Sequence, residues 1–202
     1  QGARLEEAAW STRLSQLSIL PVGRVSGLQG AALHQQLEDG LRLQLLVESA
    51  SSFDVVLFDT PAGLAGGTLG AMRASDLVFT VLQAEPLAAQ SLPSLLEVVG
   101  ALRDEGHRLQ FAGIILSMVQ REASSSLNVV ESVWDRFPNS LVFDAHIPRD
   151  VVFLQASEAG VPLGLLSSRP PPVSRRFDEL AAEVITHLPL KEDADAPISL
   201  LA

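Results

Sequence analysis

Short runs of consecutive apolar residues alternate along the chain with longer stretches in which apolar residues recur every three or four positions. The runs are typical of strands buried on both faces, and the longer stretches are typical of amphipathic helices. We predict strands at 17–22, 55–58, 77–82, 111–118 and 141–143. Helices are predicted at 28–49, 86–105, 124–137, 150–159 and 173–188, and segment 63–75 is predicted to be a glycine-rich loop that leads into a further helix. The helix over 124–137 should turn Leu127, Val130, Val133 and Trp134 inward, and Gly160 should cap the helix that ends at 159. Because strands and helices alternate, the pattern predicts an α/β fold with a doubly wound, mostly parallel sheet.

The segment 53–63, FDVVLFDTPAG, carries the first candidate chemistry. Its apolar run, 55–58, is predicted to be a buried strand, so Asp59 would lie at the carboxyl edge of the sheet, where open α/β folds bind ligands. A carboxylate beside the hydroxyl of Thr60 suits a hydrated Mg²⁺ that a nucleotide phosphate also holds. The alternative is a strand that ends in an aspartate and a turn without further function.

Composition excludes several classes of protein. The 202 residues are 47% hydrophobic, which is enough for one substantial core and predicts one α/β domain. The chain has no cysteine, so it holds neither a disulfide framework nor a cysteine metal site. No apolar run approaches the roughly 18 to 20 residues of a membrane span, and we expect a soluble, cytoplasmic protein. A net charge of −10 disfavours general nucleic-acid binding.

The distribution of lysine restricts how the chain can bind phosphate. Lys191 is the only lysine, and the other basic residues, histidine aside, are arginines. A phosphate-cradling P-loop is a glycine-rich turn that ends in Gly-Lys-Ser/Thr, and these 202 residues contain no such turn. Because the chain begins at Gln1 and not at methionine, we expect it to be a segment of a longer protein.

Five motifs, taken in order, resemble the ParA/MinD family of deviant-Walker P-loop ATPases. They are the Walker B-like strand and switch at 53–63, an alanine-containing helix and strand at 69–85, an apolar strand at 111–119, the Ile-Pro-Arg and Ala-Gly-Val-Pro pieces at 147–149 and 159–162, and a closing helix at 174–184. The family opens with a P-loop strand and a lysine-containing turn. The resemblance therefore implies a P-loop NTPase-like domain over 1–188, truncated at its N-terminus. The acidic composition of 189–202 separately predicts a disordered tail.

The resemblance implies roles for the residues that follow the Walker B-like strand. Asp59 would hold Mg²⁺, through water, against the phosphates of ATP. It is therefore the candidate metal ligand and a candidate catalytic residue. Thr60 is the second candidate catalytic residue. Thr60, Pro61, Ala62 and Gly63 would belong to the switch that senses the γ-phosphate, becoming ordered when it is present and relaxing after hydrolysis.

The resemblance also implies a position for the nucleotide base. Ser117 and Met118 end a strand at the place where family members often carry an asparagine that contacts adenine, and a serine offers fewer hydrogen bonds than an amide. Pro148 and Arg149 belong to the loop that flanks the adenine in the family. Arg149 would either stack on the base or form an ion pair near Asp150.

The function that the resemblance implies is an ATP-dependent switch. Two subunits would enclose ATP in a homodimer, which a partner protein would stimulate or anchor, in DNA partition or intracellular positioning. DNA binding through Arg175 and Arg176 is a weaker expectation, and the acidic tail disfavours membrane insertion. Two alternatives remain open: the related ATPase of bacterial cellulose synthase operons, and a non-catalytic interaction module that lacks the P-loop lysines.

Overall fold

The computed structural model describes residues 8–23 and 26–189. They form two compact units. The first contains the described residues up to Leu77 together with Glu97–Gln110, and the second contains Val78–Leu96 together with the described residues from Phe111 onward. A single nucleotide-binding domain over 1–188 stays a prediction. The predicted disordered tail lies, apart from Pro189, outside the described residues.

Helices and strands alternate over residues 67–136, and the described residues on either side add a short hairpin and further helices. The strands are β1 (Trp10–Ser11), β2 (Ser18–Ile19), β3 (Leu77–Gln83) and β4 (Gln110–Ser117). The α-helices are α1 (Gly27–Leu37), α2 (Leu41–Ser49), α3 (Gly67–Arg73), α4 (Pro86–Ala89), α5 (Leu92–Asp104), α6 (Ser124–Arg136), α7 (Val152–Ala159) and α8 (Arg175–His187). Short 3₁₀ turns lie at Asn139–Leu141, Leu163–Leu165 and Pro172–Ser174.

In the first unit, β1 and β2 form a short antiparallel hairpin in which Trp10 lies opposite Ile19. The prediction of a buried strand over 17–22 is wrong, because only two residues pair and both are exposed. Val22 is 71% exposed and Ile19 is 51% exposed. A two-stranded hairpin does not by itself bury an apolar face, so the apolar run does not have the burial that its composition suggests.

The helix predicted over 28–49 is divided into α1 and α2 at Gly40. This glycine has φ +76°, in the left-handed region that favours glycine, and it directly precedes α2. A Cβ atom placed on Gly40 would lie 2.7 Å from Cβ of Arg73 on α3. Backbone conformation and close packing therefore both require glycine at the break.

The segment 55–58, predicted to be a buried strand, has no regular secondary structure. Leu57 is 80% exposed and Val55 is 37% exposed. A strand buried on both faces needs hydrogen-bonded neighbours on both sides, and within the part of the chain that the structure describes this segment pairs with none. Asp59 therefore follows an irregular, largely exposed segment and not a central strand.

Strands β3 and β4 are hydrogen-bonded neighbours that run parallel. At their amino ends the Gln110 N–H donates to the Asp76 carbonyl over 2.9 Å, and at their carboxyl ends the Ala84 N–H donates to the Ser117 carbonyl over 2.8 Å. Both strands lie within a residue of the ranges that their apolar runs predict. The parallel arrangement agrees with the helical crossover, α4 and α5, between them.

A third segment of the second unit runs parallel to β4 on its other side. Two isolated bridges make this connection, one between Ile114 and Val142 and one between Val119 and Pro148. The predicted strand over 141–143 is therefore reduced to single bridges. A buried apolar cluster surrounds these pairings and consists of Leu82, Ala84, Leu92, Ile114, Leu116, Val119, Val129, Val133 and Val142.

Helix α6 presents a face that differs in part from the predicted one. Val133 is 2% exposed, as predicted, but Leu127 is 39% exposed, and Val129 is buried in its place. The predicted inward position of Leu127 is therefore wrong. Helix α7 ends at Gly160, which has φ +64° and provides the predicted C-terminal cap.

Glu183 on α8 fixes the turn that follows the third parallel segment. One of its carboxylate oxygens accepts the Asp144 N–H over 2.9 Å, and the other accepts the Ala145 N–H over 2.7 Å. Because α8 is joined to two consecutive backbone amides, this single side chain ties the helix to the sheet of the second unit.

Replacing Glu183 with alanine is expected to lower the free energy of unfolding by about 1.5–3 kcal/mol, the range for hydrogen bonds to a charged group. Urea denaturation would measure the loss. Glu179→Ala is the matched control, because Glu179 lies on the same helix and makes only an exposed ion pair with Arg176 at 2.6 Å. Its loss should stay below about 1 kcal/mol. Equal losses in the two variants would show that the hydrogen bonds from the Asp144 and Ala145 amides add nothing to the free energy of unfolding.

Candidate functional site

Asp59, Thr60, Pro61 and Gly63 all lie in the first unit, and all four are exposed. The Pro61 carbonyl accepts a hydrogen bond from the buried hydroxyl of Thr68 over 3.1 Å. Gly63 has φ +113°, and a Cβ atom there would meet no neighbour within 4 Å. Its backbone conformation, and not lack of space, therefore requires glycine. The segment after Asp59 is thus solvent-accessible and attached to the first turn of α3.

Helix α3 begins against His34, a residue that the sequence did not single out. The Gly67 N–H donates to Nδ1 of His34 over 3.2 Å. Gly66, with φ +58°, precedes the helix, and a Cβ atom on it would overlap the His34 ring. The two partners are 33 residues apart in sequence, and no local pattern indicates that they meet.

The rest of α3 packs closely on the end of α1 and on Glu38, the residue that follows α1. A Cβ atom on Gly70 would overlap the carbonyl oxygen of Leu37. The guanidinium group of Arg73 donates to the Glu38 carbonyl over 2.7 Å and lies 3.5 Å from the carboxylate of Glu105. The helix that follows the candidate switch is therefore held along its length.

Ser117, Met118, Pro148 and Arg149 belong to the second unit, which brings them to one edge of its sheet. The Val119 N–H donates to the carbonyl of Ile147 over 3.1 Å, and the Arg149 N–H donates to the carbonyl of Val119 over 3.0 Å. The ends of two predicted motifs, 111–119 and 147–149, are thus hydrogen-bonded to each other at the carboxyl edge.

Side chains at this edge are accessible. Met118 has φ +56°, the left-handed region that L residues rarely adopt, and is 39% exposed. Arg149 is exposed and forms no ion pair with the described residues, while the Asp150 carboxylate accepts the Val152 N–H over 3.0 Å. Of the two arrangements considered for Arg149, the ion pair near Asp150 is absent from the described structure.

The carboxylate of Asp59 is suited to holding a hydrated Mg²⁺ ion. Among residues 8–23 and 26–189, no three side chains from His, Asp and Glu come together as a metal site. Mg²⁺, however, keeps several waters and is commonly held by one or two carboxylates together with substrate phosphates. A single exposed carboxylate therefore fits a hydrated Mg²⁺ that a nucleotide also holds. The same described residues contain no helix of sufficient length and apolarity for a membrane span.

Comparison with known proteins gives close relatives by sequence, although no protein-family model matches the chain. The chromosome partitioning protein ParA of Caulobacter vibrioides is 33% identical over 189 residues, which cover 91% of this chain and 70% of ParA. The chromosome-partitioning ATPase Soj of Treponema pallidum is 26% identical over 185 residues, 91% of this chain and 72% of Soj. The sporulation initiation inhibitor protein Soj of Bacillus subtilis is 27% identical over 163 residues, 79% of this chain and 63% of that Soj.

Comparison of structures confirms the predicted α/β fold. An ATP complex of a McdA variant from Cyanothece superposes with a TM-score of 0.74 at 19% identity, over 90% of this chain and 71% of McdA. Cobyrinic acid a,c-diamide synthase from Mycobacterium smegmatis, with bound ADP and magnesium, superposes with a TM-score of 0.60 at 22% identity, over 78% of this chain and 69% of the synthase.

The sequence relatives and the ordered motifs agree with each other. The 33% identity to ParA extends over nine tenths of the chain and therefore includes most of the motifs that carried the resemblance. The solved neighbours have the fold that the alternating pattern predicts. On this evidence the chain belongs to the ParA/MinD family of P-loop ATPases.

Proposed function

We propose that this protein is an ATP-dependent switch of the ParA type that acts in DNA partition or intracellular positioning. The observation that carries the proposal is the 33% identity to a chromosome partitioning ParA protein over 91% of the chain. The exposed Asp-Thr-Pro segment, joined to α3 through the Thr68 hydroxyl, supports it. The alternative of an ATPase from a cellulose synthase operon stays a prediction.

In this proposal Asp59 would hold a hydrated Mg²⁺, which when bound would neutralise phosphate charge during phosphoryl transfer. Thr60, Pro61 and Gly63 form the switch. Their exposure leaves them accessible to a phosphate, and the positive φ of Gly63 gives the segment a position at which the backbone can change direction.

Base recognition is assigned to the carboxyl edge of the second unit. Ser117 and Met118 lie beside Pro148 and Arg149 through the backbone hydrogen bonds of Val119. The exposed guanidinium group of Arg149 is available to stack on an adenine ring, since planar cations pack favourably on aromatic faces. A serine hydroxyl can donate or accept one hydrogen bond to the base edge.

The phosphate cradle is the part of the site that these 202 residues do not provide, since Lys191 is their only lysine. A complete protein that also lacked this cradle would be a second candidate, a family member that binds partners without hydrolysing ATP. The two candidates differ in whether nucleotide changes the state of the protein, and one experiment separates them.

The test uses the protein expressed from its complete reading frame. Light scattering would measure its mass with Mg²⁺ and ATP, with Mg²⁺ and ADP, and without nucleotide, and phosphate release would be followed in parallel. We expect a mass that doubles only with ATP, and slow release of phosphate. A mass unaffected by nucleotide, without phosphate release, would refute the switch and leave the non-catalytic module.

A further inference from the structure

The first turn of α3 is capped in an unusual way. Helix N-termini are commonly capped by Ser, Thr, Asp or Asn, whose side-chain oxygens accept the first free backbone N–H groups. Here Gly66 precedes the helix and provides no side chain. The acceptor comes from a different helix, since Nδ1 of His34 on α1 receives the Gly67 N–H at 3.2 Å.

We propose that His34 is a positioning residue that holds segment 60–66, between Asp59 and α3, in one conformation. It acts through Gly67 and not through contact with a ligand. The inference rests on the proposed function for its effect on the response to nucleotide, while the contact itself can be tested without nucleotide.

The packing of the His34 ring against Gly66 and Gly67 supports this role. A Cβ atom on Gly66 would overlap the His34 ring, and one on Gly67 would lie 3.1 Å from Nδ1. The ring therefore occupies the space that side chains at both positions would otherwise fill. Because Nδ1 accepts a hydrogen bond, the ring proton of neutral His34 lies on Nε2.

The end of segment 60–66 that lies nearer Asp59 is also attached to the first turn of α3. Thr68 is 7% exposed, and its hydroxyl donates to the carbonyl of Pro61 over 3.1 Å. Segment 60–66 thus has one fixed point near Asp59 and another at Gly67. Gly63 and Gly66, both with positive φ, lie between these points and allow the backbone to take another path when one contact is lost.

Hydrogen exchange in the protein expressed from its complete reading frame would test the contact. We expect His34→Leu to speed exchange of the amides at 66–68 by about three- to tenfold, the factor that corresponds to one lost hydrogen bond. His34→Asn should stay within about twofold of the native rate, because an amide oxygen can replace Nδ1 as the acceptor. Gln35→Leu, an exposed change one residue along α1, is the matched control and should leave these amides unchanged.

A purely structural role for His34 would give a different result. If His34 only stabilised the fold, His34→Leu would speed exchange throughout α1 and α2. His34→Asn would then show the same fast exchange. That pattern, or native exchange in His34→Leu, would overturn the proposal. A scalar coupling across the hydrogen bond, between the Gly67 amide nitrogen and Nδ1 of selectively labelled His34, tests the contact without any variant, and its absence would also count against it.

The consequence for the switch is measured separately. Limited proteolysis within 60–66 should differ between ATP and ADP in the native protein, and His34→Leu should reduce that difference while His34→Asn restores it. If nucleotide has no effect on the native protein, the proposed function fails, and the exchange result still decides the role of His34. If nucleotide protects the native protein and His34→Leu equally, the positioning role fails and the switch stands.

Discussion

Replacing Asp59 with alanine should abolish magnesium-dependent ATP turnover, lowering kcat by roughly 10²-fold or more, because a missing partner of the metal leaves the charge of the transition state uncompensated. Asp59 is exposed, so the free energy of unfolding should change by less than about 0.5 kcal/mol. The measurements are phosphate release at saturating ATP over a range of Mg²⁺ concentrations, and urea denaturation.

Asp54→Ala is the matched control for this prediction. Asp54 is also an exposed aspartate, and it lies five residues earlier, at the start of the same apolar run. Turnover in this variant should stay within about twofold of the native rate, a change of less than about 0.5 kcal/mol. Native turnover in Asp59→Ala, or an equal loss in both variants, would refute the assignment of Asp59 to Mg²⁺.

Replacing Gly70 with alanine should lower the free energy of unfolding by about 3 kcal/mol, the upper part of the range for overpacking. The added methyl group would overlap the carbonyl oxygen of Leu37, and a backbone atom cannot rotate out of the way as a flexible side chain can. Thermal or urea denaturation would measure the change. Since α3 follows the candidate switch directly, turnover should fall as well.

Gly100→Ala on α5 is the control for Gly70. Both glycines lie within helices of the first unit, but a Cβ atom on Gly100 would meet nothing within 4 Å. Alanine there should stabilise the protein by up to about 1 kcal/mol, because glycine is the poorer helix former. A loss in Gly70→Ala no larger than the change in Gly100→Ala would show that α1 and α3 are not in close contact.

Much of the secondary structure could be predicted from the sequence. The ends of β3, β4 and α6 agree with the apolar patterns to within one residue, and Gly160 ends α7 as its position suggested. Strands β3 and β4 and helix α6 all contribute residues to one buried apolar cluster, so periodicity and burial give the same answer for these three elements. The order of the motifs then identified the family, which the sequence relatives confirm.

The errors have a common physical cause. Runs at 17–22 and 55–58 are as apolar as β4, yet none of their side chains is buried. An apolar run shows that burial would be favourable, but it carries no information on whether another segment is available to pair with it. Leu127 illustrates the same limit for a helix, since the register of α6 depends on what it packs against.

Only some residues of the candidate site could be predicted from the sequence. Asp59 could be selected because open α/β sheets bind ligands at their carboxyl edge, although the run before it is not a strand in the structure. Met118 could be selected only through the resemblance to the family. His34 could not, because its contact with Gly67 joins residues 33 positions apart and depends on how α1 and α3 pack. Composition gave no signal either, since glycine at 66 and 67 is equally consistent with an unrestrained loop.

The exposed run before Asp59 affects how the protein must be handled. Segments of about six or seven residues with high β propensity, low net charge and no proline stack into cross-β aggregates, and residues 55–58 supply four consecutive apolar positions of that kind. Asp54 and Asp59 flank this run and act as gatekeepers, since their negative charges oppose the stacking of identical segments. Asp59→Ala and its control Asp54→Ala each remove one of these charges, so a fibril-binding dye should be monitored alongside the turnover of both variants.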